Sequence, residues 1–339
     1  MKSFSHPSVG LTPHQIPALR LGAAIIAVAL LPAAPTAALA CSVCGCSLSS
    51  DWGQQGYSEL PGIQAGLRYE YFAQADLRSG RHSVNRATLE FPNDDEIQQS
   101  TTNRNVWFGL EEVLNPSWAI SLQVPWHDRD HTTIVGGDTE VSASHASGLG
   151  DVRILGRYQL LHGMNDNFGL QFGLKLPTGR FGQNFASGPQ AGAPLDRGLQ
   201  LGTGTTDLLL GTAWFARPLV KLGVFAQALL DQPLAQRAGF SPSSSLTLNS
   251  GVRWLNSSVF TPQLQLNVRW DGRERGVNGD IDNSGGTVAY LSPGVTADLT
   301  TNVNAFAFVQ APVFQRVNGL QLEPRWLLSV GFRFRLPGT

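Results

Sequence analysis

Residues 260–270 read FTPQLQLNVRW, and this stretch shows the pattern on which the predicted fold depends. Apolar side chains stand at every even position and polar ones between them. Because successive side chains of a β-strand point to opposite faces, the stretch predicts a strand with one apolar and one polar face. Its length exceeds the mean of about 5–6 residues for strands in soluble proteins and fits the ~9–11 residues of a membrane-crossing strand.

Eleven further segments alternate in the same way. The connections between the twelve segments alternate between short ones of at most six residues and long ones of at least 14 residues. Short periplasmic turns and long extracellular loops are typical of bacterial outer-membrane barrels, whereas a soluble β-sandwich would have shorter strands and no such rhythm. The sequence therefore predicts an all-β fold, a closed antiparallel transmembrane β-barrel of about 12 strands (10–14), at 62–75, 102–114, 118–127, 149–161, 168–177, 206–215, 219–230, 246–255, 259–270, 287–296, 302–311 and 326–336.

The composition excludes several other classes. Only 14% of the 339 residues are charged, against about 25% in an average soluble domain, while 42% are hydrophobic. This balance argues against a disordered chain. With 24 Lys and Arg against 25 Asp and Glu and no basic block, nucleic acid is not an expected partner.

The N-terminus has the pattern of an export signal. Lys2 and Arg20 precede an apolar stretch at 21–31, and a small-x-small site follows at 38–40. A retained transmembrane helix is disfavoured because the apolar stretch is too short to span a bilayer. We therefore expect three parts and an outer-membrane location: a cleaved signal peptide (1–40), a Cys-rich periplasmic arm (41–61) and the barrel (62–339).

All three cysteines, Cys41, Cys44 and Cys46, lie together at the start of the expected mature chain. An oxidising compartment favours a disulfide, and Cys41 could instead carry a lipid. Three closely spaced thiolates could also bind a soft metal such as Zn(II) or Cu(I). These alternatives stay open, and no cofactor is indicated elsewhere.

Charged side chains on the polar strand faces are expected to line the lumen, since a basic side chain facing lipid costs about 2–4 kcal/mol at the bilayer midplane. Three acidic groups, Glu70, Glu111 and Asp207, fall on this face. Eight basic groups would outnumber them, which predicts a positive lumen for anionic or hydrogen-bonding solutes, unless ion pairs fill the interior. Five of the eight, Arg153, Arg157, Arg269, Arg333 and Arg335, form the expected selectivity ladder; the full set is Arg68, Arg153, Arg157, Lys175, Arg253, Arg269, Arg333 and Arg335.

Two sets of motifs carry resemblances. Ser329, Gly331, Phe334 and Leu336 match the C-terminal signal that the barrel-assembly machinery reads, which makes that machinery an expected partner. GLGDVR at 148–153, LPTG at 176–179 and GTG at 202–204 followed by Asp207 resemble the family named for a meta-pathway of phenol degradation. That resemblance, over roughly residues 145–339, implies an outer-membrane barrel of transporter type. Asp151 and Asp207 are expected to cap loop backbone groups.

Together these features predict an outer-membrane channel for small solutes, anionic or polar-aromatic, surrounded by membrane lipid. The alternative is a non-conducting barrel with a binding, metal or redox role for its CxxCxC arm. An enzyme is not expected, because nothing resembles the Ser and His pair of an outer-membrane phospholipase. The metal-like stretch HDRDH at 127–131 and the calcium-like loop at 278–285 are expected to be a solvated rim and an ordinary turn-rich loop.

Overall fold

The computed structural model describes residues 61–163, 165–255 and 259–336. These residues form one antiparallel sheet, together with two short 3-10 helices, Arg86–Thr88 and Arg197–Leu199. None of the helices in the described part of the chain has the length and apolarity of a membrane-spanning helix. The strands are β1 (Gly62–Ser79), β2 (His82–Val84), β3 (Ile97–Asn115), β4 (Trp118–Ile134), β5 (Ser142–Leu149), β6 (Val152–His162), β7 (Asp166–Leu176), β8 (Asp207–Leu219), β9 (Leu222–Pro233), β10 (Ser245–Trp254), β11 (Phe260–Asp271), β12 (Gly286–Thr300), β13 (Val303–Val317) and β14 (Leu320–Arg335).

Twelve of these strands close into a barrel. From β6 to β14 each strand pairs with the next, and β6, β4, β3 and β1 continue the order. The barrel closes where β1 pairs with β14, from Gln64 opposite Arg335 to Ser79 opposite Leu320. All twelve predicted strands are confirmed, and so is the closed antiparallel barrel.

Two strands lie where the sequence predicts only connections. β2 folds back on the end of β1. β5 pairs with residues 126–133 of β4, whereas β6 pairs with residues 118–123 of the same strand. The expectation that 76–101 and 128–148 are pure connections is therefore wrong. Neither strand shows the apolar–polar alternation: β5 turns the small residues Ser142, Ser144 and Ala146 to its buried face, and β2 is only three residues long.

The strands also run farther than the alternation indicates at one end. The short turns, confirmed at 116–117, 163–165, 220–221, 255–259 and 301–302, share one end of the barrel, the short-turn end. At the opposite, long-loop end, the expected long connection at 312–325 is wrong. There β13 and β14 continue to a two-residue turn, Asn318 and Gly319, where Gly319 takes a left-handed φ of 45°. The connection after β9 is also shorter than expected, at 234–244.

The wall has an apolar outer face and a polar inner face. On β11, Leu266 is 43% exposed, whereas its neighbours Gln265 and Asn267 are buried inside the barrel. Exposed tryptophans lie on two levels of the outer face, as in the aromatic girdles of outer-membrane barrels. One level, towards the short-turn end, has Trp118, Trp214 and Trp254, and the other has Trp126, Trp270 and Trp326.

A charge on the middle of this outer face should destabilise the barrel in lipid. Leu266→Arg is expected to lower the free energy of unfolding by about 2–4 kcal/mol, because the guanidinium would sit near the bilayer midplane. Leu219→Arg, at the end of β8, is the matched control and should cost about 0–1 kcal/mol. Denaturant titration of both variants in lipid vesicles measures the difference, and equal costs would contradict the membrane position of the wall.

Candidate functional site

The barrel encloses a cavity of about 310 Å³ in its long-loop half. Strands β1, β3, β4, β6, β7, β9, β10 and β11 supply its wall. Residues 177–206, which we call the plug loop, supply Arg197, Gly198 and 200–203 to its lining. Phe240 and Glu274 from two further loops complete it. The cavity is thus bounded by fixed strands and by loops folded inward.

The structure places all eight predicted basic residues on the inner face but does not bring them together. Arg68, Arg153, Lys175 and Arg269 line the cavity. The other four lie nearer the short-turn end and are not part of its lining: Arg157, Arg253, Arg333 and Arg335. The expected ladder is therefore divided, with Arg153 and Arg269 at the cavity and three members below it.

Close carboxylates partner several of these cations. Arg68 Nε lies 2.8 Å from Glu70 Oε1 on the same strand. Arg157 Nη2 donates to Glu111 Oε1 at 3.1 Å. Because both members of each pair are largely buried, these contacts fix the side chains and reduce the positive field of the wall.

Two further carboxylates, Asp231 and Asp271, correct the predicted charge balance. Arg153 and Lys175 share Asp231 Oδ2, at 3.7 and 3.4 Å. Arg269 Nε and Nη2 donate to Asp271 at 2.7–3.0 Å. Both aspartates lie one residue beyond the predicted strand ends, at 230 and 270, so the expected excess of eight basic over three acidic groups is wrong. The cavity lining holds Arg68, Arg129, Arg153, Lys175, Arg197 and Arg269 against Glu70, Asp151, Asp231, Asp271 and Glu274.

Trp107 is a cavity residue that the sequence reasoning missed. Two guanidinium groups lie over its ring, that of Arg68 at 5.1 Å from the ring centroid and that of Arg153 at 5.6 Å. Its Nε1 donates to Glu70 Oε2 at 2.8 Å, which fixes the ring plane. The signal was present in the sequence, because Trp107 stands an even number of residues before Glu111, a residue already assigned to the inner face.

Arg129 anchors the plug loop to the wall. Its side chain is buried on β4, where Nε donates to Asn103 Oδ1 at 2.7 Å. Nη1 donates to the carbonyl of Leu199 at 2.6 Å, in the short helix of the plug loop. Leu199 itself packs with Phe185 and Leu195 in a small apolar cluster. One cation and one apolar cluster therefore hold the loop over the cavity.

The three family-like motifs meet at the base of the plug loop. Asp151, from GLGD, accepts from the backbone N–H of Gly179 at 3.0 Å, in LPTG, and from that of Thr203 at 2.8 Å, in GTG. The Thr203 hydroxyl also donates to Asp151, at 2.9 Å. The structure confirms that Asp151 caps loop backbone groups. We call these contacts the Asp151 latch.

Two glycines allow the two loop segments joined by the Asp151 latch to approach each other. A Cβ on Gly202 would lie 2.5 Å from the carbonyl oxygen of Gly179, and a Cβ on Gly179 would lie 2.7 Å from Gly202 Cα. Any side chain at either position would force the two backbones apart. The glycines of LPTG and GTG are therefore required by packing at the two ends of the plug loop.

Asp207 has a different partner set from the expected one. Its Oδ1 accepts from the Thr205 hydroxyl at 2.8 Å, and its Oδ2 forms an ion pair with Lys175. Both partners are side chains, so the expectation that Asp207 caps loop backbone groups is wrong. It belongs to the ion-pair network of the cavity wall, next to the Asp231 pair.

The remaining predicted site residues are also placed. Ser329 and Gly331 face inward on β14, and the ring of Phe306 covers Gly331 closely enough that a Cβ there would lie 2.5 Å from it. Phe334 and Leu336 face outward, 41% and 43% exposed. Cys41, Cys44 and Cys46 lie outside the described residues, as do the predicted signal peptide and nearly all of the arm.

The metal-like stretch 127–131 divides between the two faces of β4. His127, Arg129 and His131 point inward, whereas Asp128 and Asp130 point outward beside His145. In the described part of the chain, these outward three form a group whose ligand atoms all lie within 4.8 Å of one another. Arg104 already bridges both aspartates, at 3.1 and 2.8 Å, so this outer cluster is a salt-bridged rim.

Comparison with known families supports the resemblance found in the motifs. The model of the family described as "Putative MetA-pathway of phenol degradation" matches residues 74–194, which include GLGD and LPTG. No curated protein matches the sequence. The family likeness predicted over roughly 145–339 is thus confirmed for 145–194; the match begins earlier, at residue 74, and ends before GTG at 202–204. The wall of the cavity from β3 to β7 lies within the matched range.

Solved structures confirm the fold. An outer membrane channel from Pseudomonas putida F1 superposes with a TM-score of 0.62 at 14% identity, over 82% of this chain and 96% of that one. A toluene transporter from Ralstonia pickettii gives a TM-score of 0.43 at 9% identity, over 82% and 90% of the two chains. The first match shows that the chain has the fold of a bacterial outer-membrane channel.

Removal of the charge of the Asp151 latch should loosen the plug loop. Asp151→Asn retains the shape but turns an amide N–H₂ towards donors, so at least one of three hydrogen bonds is lost. We expect trypsin to cleave after Arg197 about tenfold faster, since one lost bond to a charged acceptor is worth about 1.5 kcal/mol or more. The control is Asp166→Asn, exposed at the short-turn end. Mass spectrometry identifies the cut, and equal rates would contradict the latch.

Proposed function

We propose that this barrel is an outer-membrane channel for small solutes and that its internal cavity is the solute site. The observation that carries the proposal is a cavity of about 310 Å³, lined by fixed charges and covered by folded-in loops. This volume lies at the lower end of the ~300–1,000 Å³ of small-molecule sites. A solute with a few polar groups on one small ring or chain fits such a space.

The polar atoms of the cavity favour solutes that carry a negative group. Arg68 and Gln227 line the cavity, and each has a buried donor nitrogen without a hydrogen-bond partner in the protein, Nη1 of Arg68 and Nε2 of Gln227. Both are donors, and a buried donor without a partner costs about 1–3 kcal/mol. A carboxylate or another anionic oxygen would satisfy them. An anionic solute would therefore accept hydrogen bonds from the two donors that have no partner in the protein.

Trp107 adds a reason to expect aromatic solutes. Its ring is held by Glu70 and lies against Arg68 and Arg153, so an aromatic carboxylate could place its ring near the indole and its charge near a guanidinium. Aromatic pairs contribute about 0.5–1.5 kcal/mol beyond simple burial. The proposed substrate class is accordingly small anionic or polar-aromatic compounds.

Ion selectivity in planar bilayers tests the channel. Arg153→Gln combined with Arg269→Gln should lower the chloride-over-potassium permeability ratio about thirtyfold, because each of the two removed charges weakens anion attraction by about 1 kcal/mol in a wet pore. The matched control is Arg325→Gln, whose side chain is 71% exposed and pairs with Asp76. If the wild-type barrel shows no conductance, the alternative of a non-conducting barrel is favoured instead. If it prefers cations, the role of the two arginines in selectivity is refuted.

Solute uptake by proteoliposomes tests the role of Trp107. Trp107→Leu keeps an apolar side chain but removes the ring, so uptake of benzoate should fall by about three- to tenfold relative to acetate, which corresponds to 0.5–1.5 kcal/mol. Trp254→Leu, on the outer face, is the matched control and should leave the ratio unchanged. An equal loss for both solutes would assign Trp107 to the structure of the wall rather than to recognition.

A further inference from the structure

Ionisable groups from four parts of the chain meet above the cavity, and one of them, His131, is fully buried. Glu96 lies just before β3, His131 points inward from β4, Asp196 belongs to the plug loop, and Asp280 lies in the 272–285 connection. The carboxyl groups of Glu96 and Asp196 are within hydrogen-bonding reach of each other, and Asp280 acts on both through its charge. Three carboxyl groups are therefore gathered where the plug loop meets the wall.

Two atoms in this cluster lack the partners that burial requires. His131 is 1% exposed, and its Nε2 has no hydrogen-bond partner. Glu96 Oε1 is likewise buried without one, and it lies 3.9 Å from that nitrogen. Orphaned polar atoms are rare in native structures because each costs about 1–3 kcal/mol. Both atoms point to a ligand between them.

The other ring nitrogen of His131 prepares Nε2 for such a ligand. Nδ1 lies 2.8 Å from the hydroxyl oxygen of Thr101, on the neighbouring strand. When Nδ1–H donates to that oxygen, Nε2 keeps its lone pair and faces Glu96. A metal-binding histidine commonly has this arrangement, with its second nitrogen held by a hydrogen bond.

The carboxyl group of Asp196 is turned to Glu96 rather than to the helix that follows it. Asp196 precedes the short helix of the plug loop, yet its side chain makes no capping hydrogen bond there. Its carboxyl group is thus free to act in the cluster.

We propose that Glu96, His131 and Asp196 bind a divalent metal ion of the zinc type, which fastens the plug loop to the barrel wall. One imidazole nitrogen and two carboxylate oxygens form a donor set that suits Zn²⁺, whereas Ca²⁺ and Mg²⁺ prefer oxygen alone. Asp280 supplies further negative charge beside the site.

One distance in the cluster is near that of a loaded zinc site, and the spacing of the three groups as a whole is wider. Two ligands of one zinc ion, with bonds of about 2.1 Å, are separated by about 3.4 Å, against the 3.9 Å between Glu96 Oε1 and His131 Nε2. The three groups are spaced more widely than the outer cluster of Asp128, Asp130 and His145. Binding would draw them together, and since Asp196 belongs to the plug loop, it would tighten that loop over the cavity.

Zinc titration of the full-length protein in detergent micelles tests this site. Cys41, Cys44 and Cys46 are first changed to Ser, so that the arm cannot bind the metal, and the protein is then stripped with EDTA. Isothermal titration with ZnCl₂ should show one ion per barrel. His131→Gln and Asp196→Asn should each weaken binding at least tenfold, and zinc should slow tryptic cleavage after Arg197 only where binding is retained.

The matched control removes the outer cluster through Asp128→Asn and His145→Gln, and it should leave zinc affinity unchanged. Heat-modifiable gel mobility checks that each variant forms a barrel. Loss of binding in the control alone would move the ion to the outer face and overturn the proposal. Absence of zinc binding, or tighter binding of CaCl₂ than of ZnCl₂, would overturn it too. Since binding is measured without solute or conductance, this result is independent of the channel function.

Discussion

The hydrogen-bonded seam between β1 and β14 is the constraint on which the rest of the structure depends. Lipid offers no partner to a backbone N–H or C=O, and each orphaned group costs several kcal/mol, so a membrane-spanning sheet must have no free edge. The seam runs from Gln64 opposite Arg335 to Ser79 opposite Leu320, almost the full length of both strands. Closure makes one face of the sheet an interior and the other a lipid face, and the two-residue period of each strand distributes the side chains between them.

The interior of so narrow a barrel has to accommodate its own polar groups. Twelve strands leave less room than a wide porin does, and every second residue on each strand points inward. Ion pairs such as Arg157 with Glu111 and Arg269 with Asp271 meet this requirement along the wall. The cavity lies where two lining residues, Arg68 and Gln227, each keep one donor without a partner. Solute recognition is thus proposed at a place where the barrel leaves donors of its own unsatisfied.

The plug loop shows how the motifs and the barrel depend on each other. Asp151 lies immediately before β6, while Gly179 and Thr203 lie near the two ends of the plug loop. Their hydrogen bonds join the loop ends to one carboxylate on the rim, and Arg129, on the adjacent strand β4, holds the carbonyl of Leu199. A loop that is 30 residues long is therefore fixed at both ends and at Leu199, which allows it to define a cavity.

The sequence predicted the barrel because lipid imposes its alternation on every residue between the two levels of tryptophan. Outside those levels the alternation ends, and the prediction ended with it: β2 and β5 were missed, β13 was ended too early and β14 was started too late. Because the predicted strands ended at 230 and 270, Asp231 and Asp271 were not counted on the expected inner face. Without them the wall looked strongly basic. Part of the charge of the lumen therefore lies at the rim, where alternation no longer marks the strand in the sequence. Loop residues such as Arg197 and Glu274 reach the cavity only through tertiary folding, which no local pattern predicts.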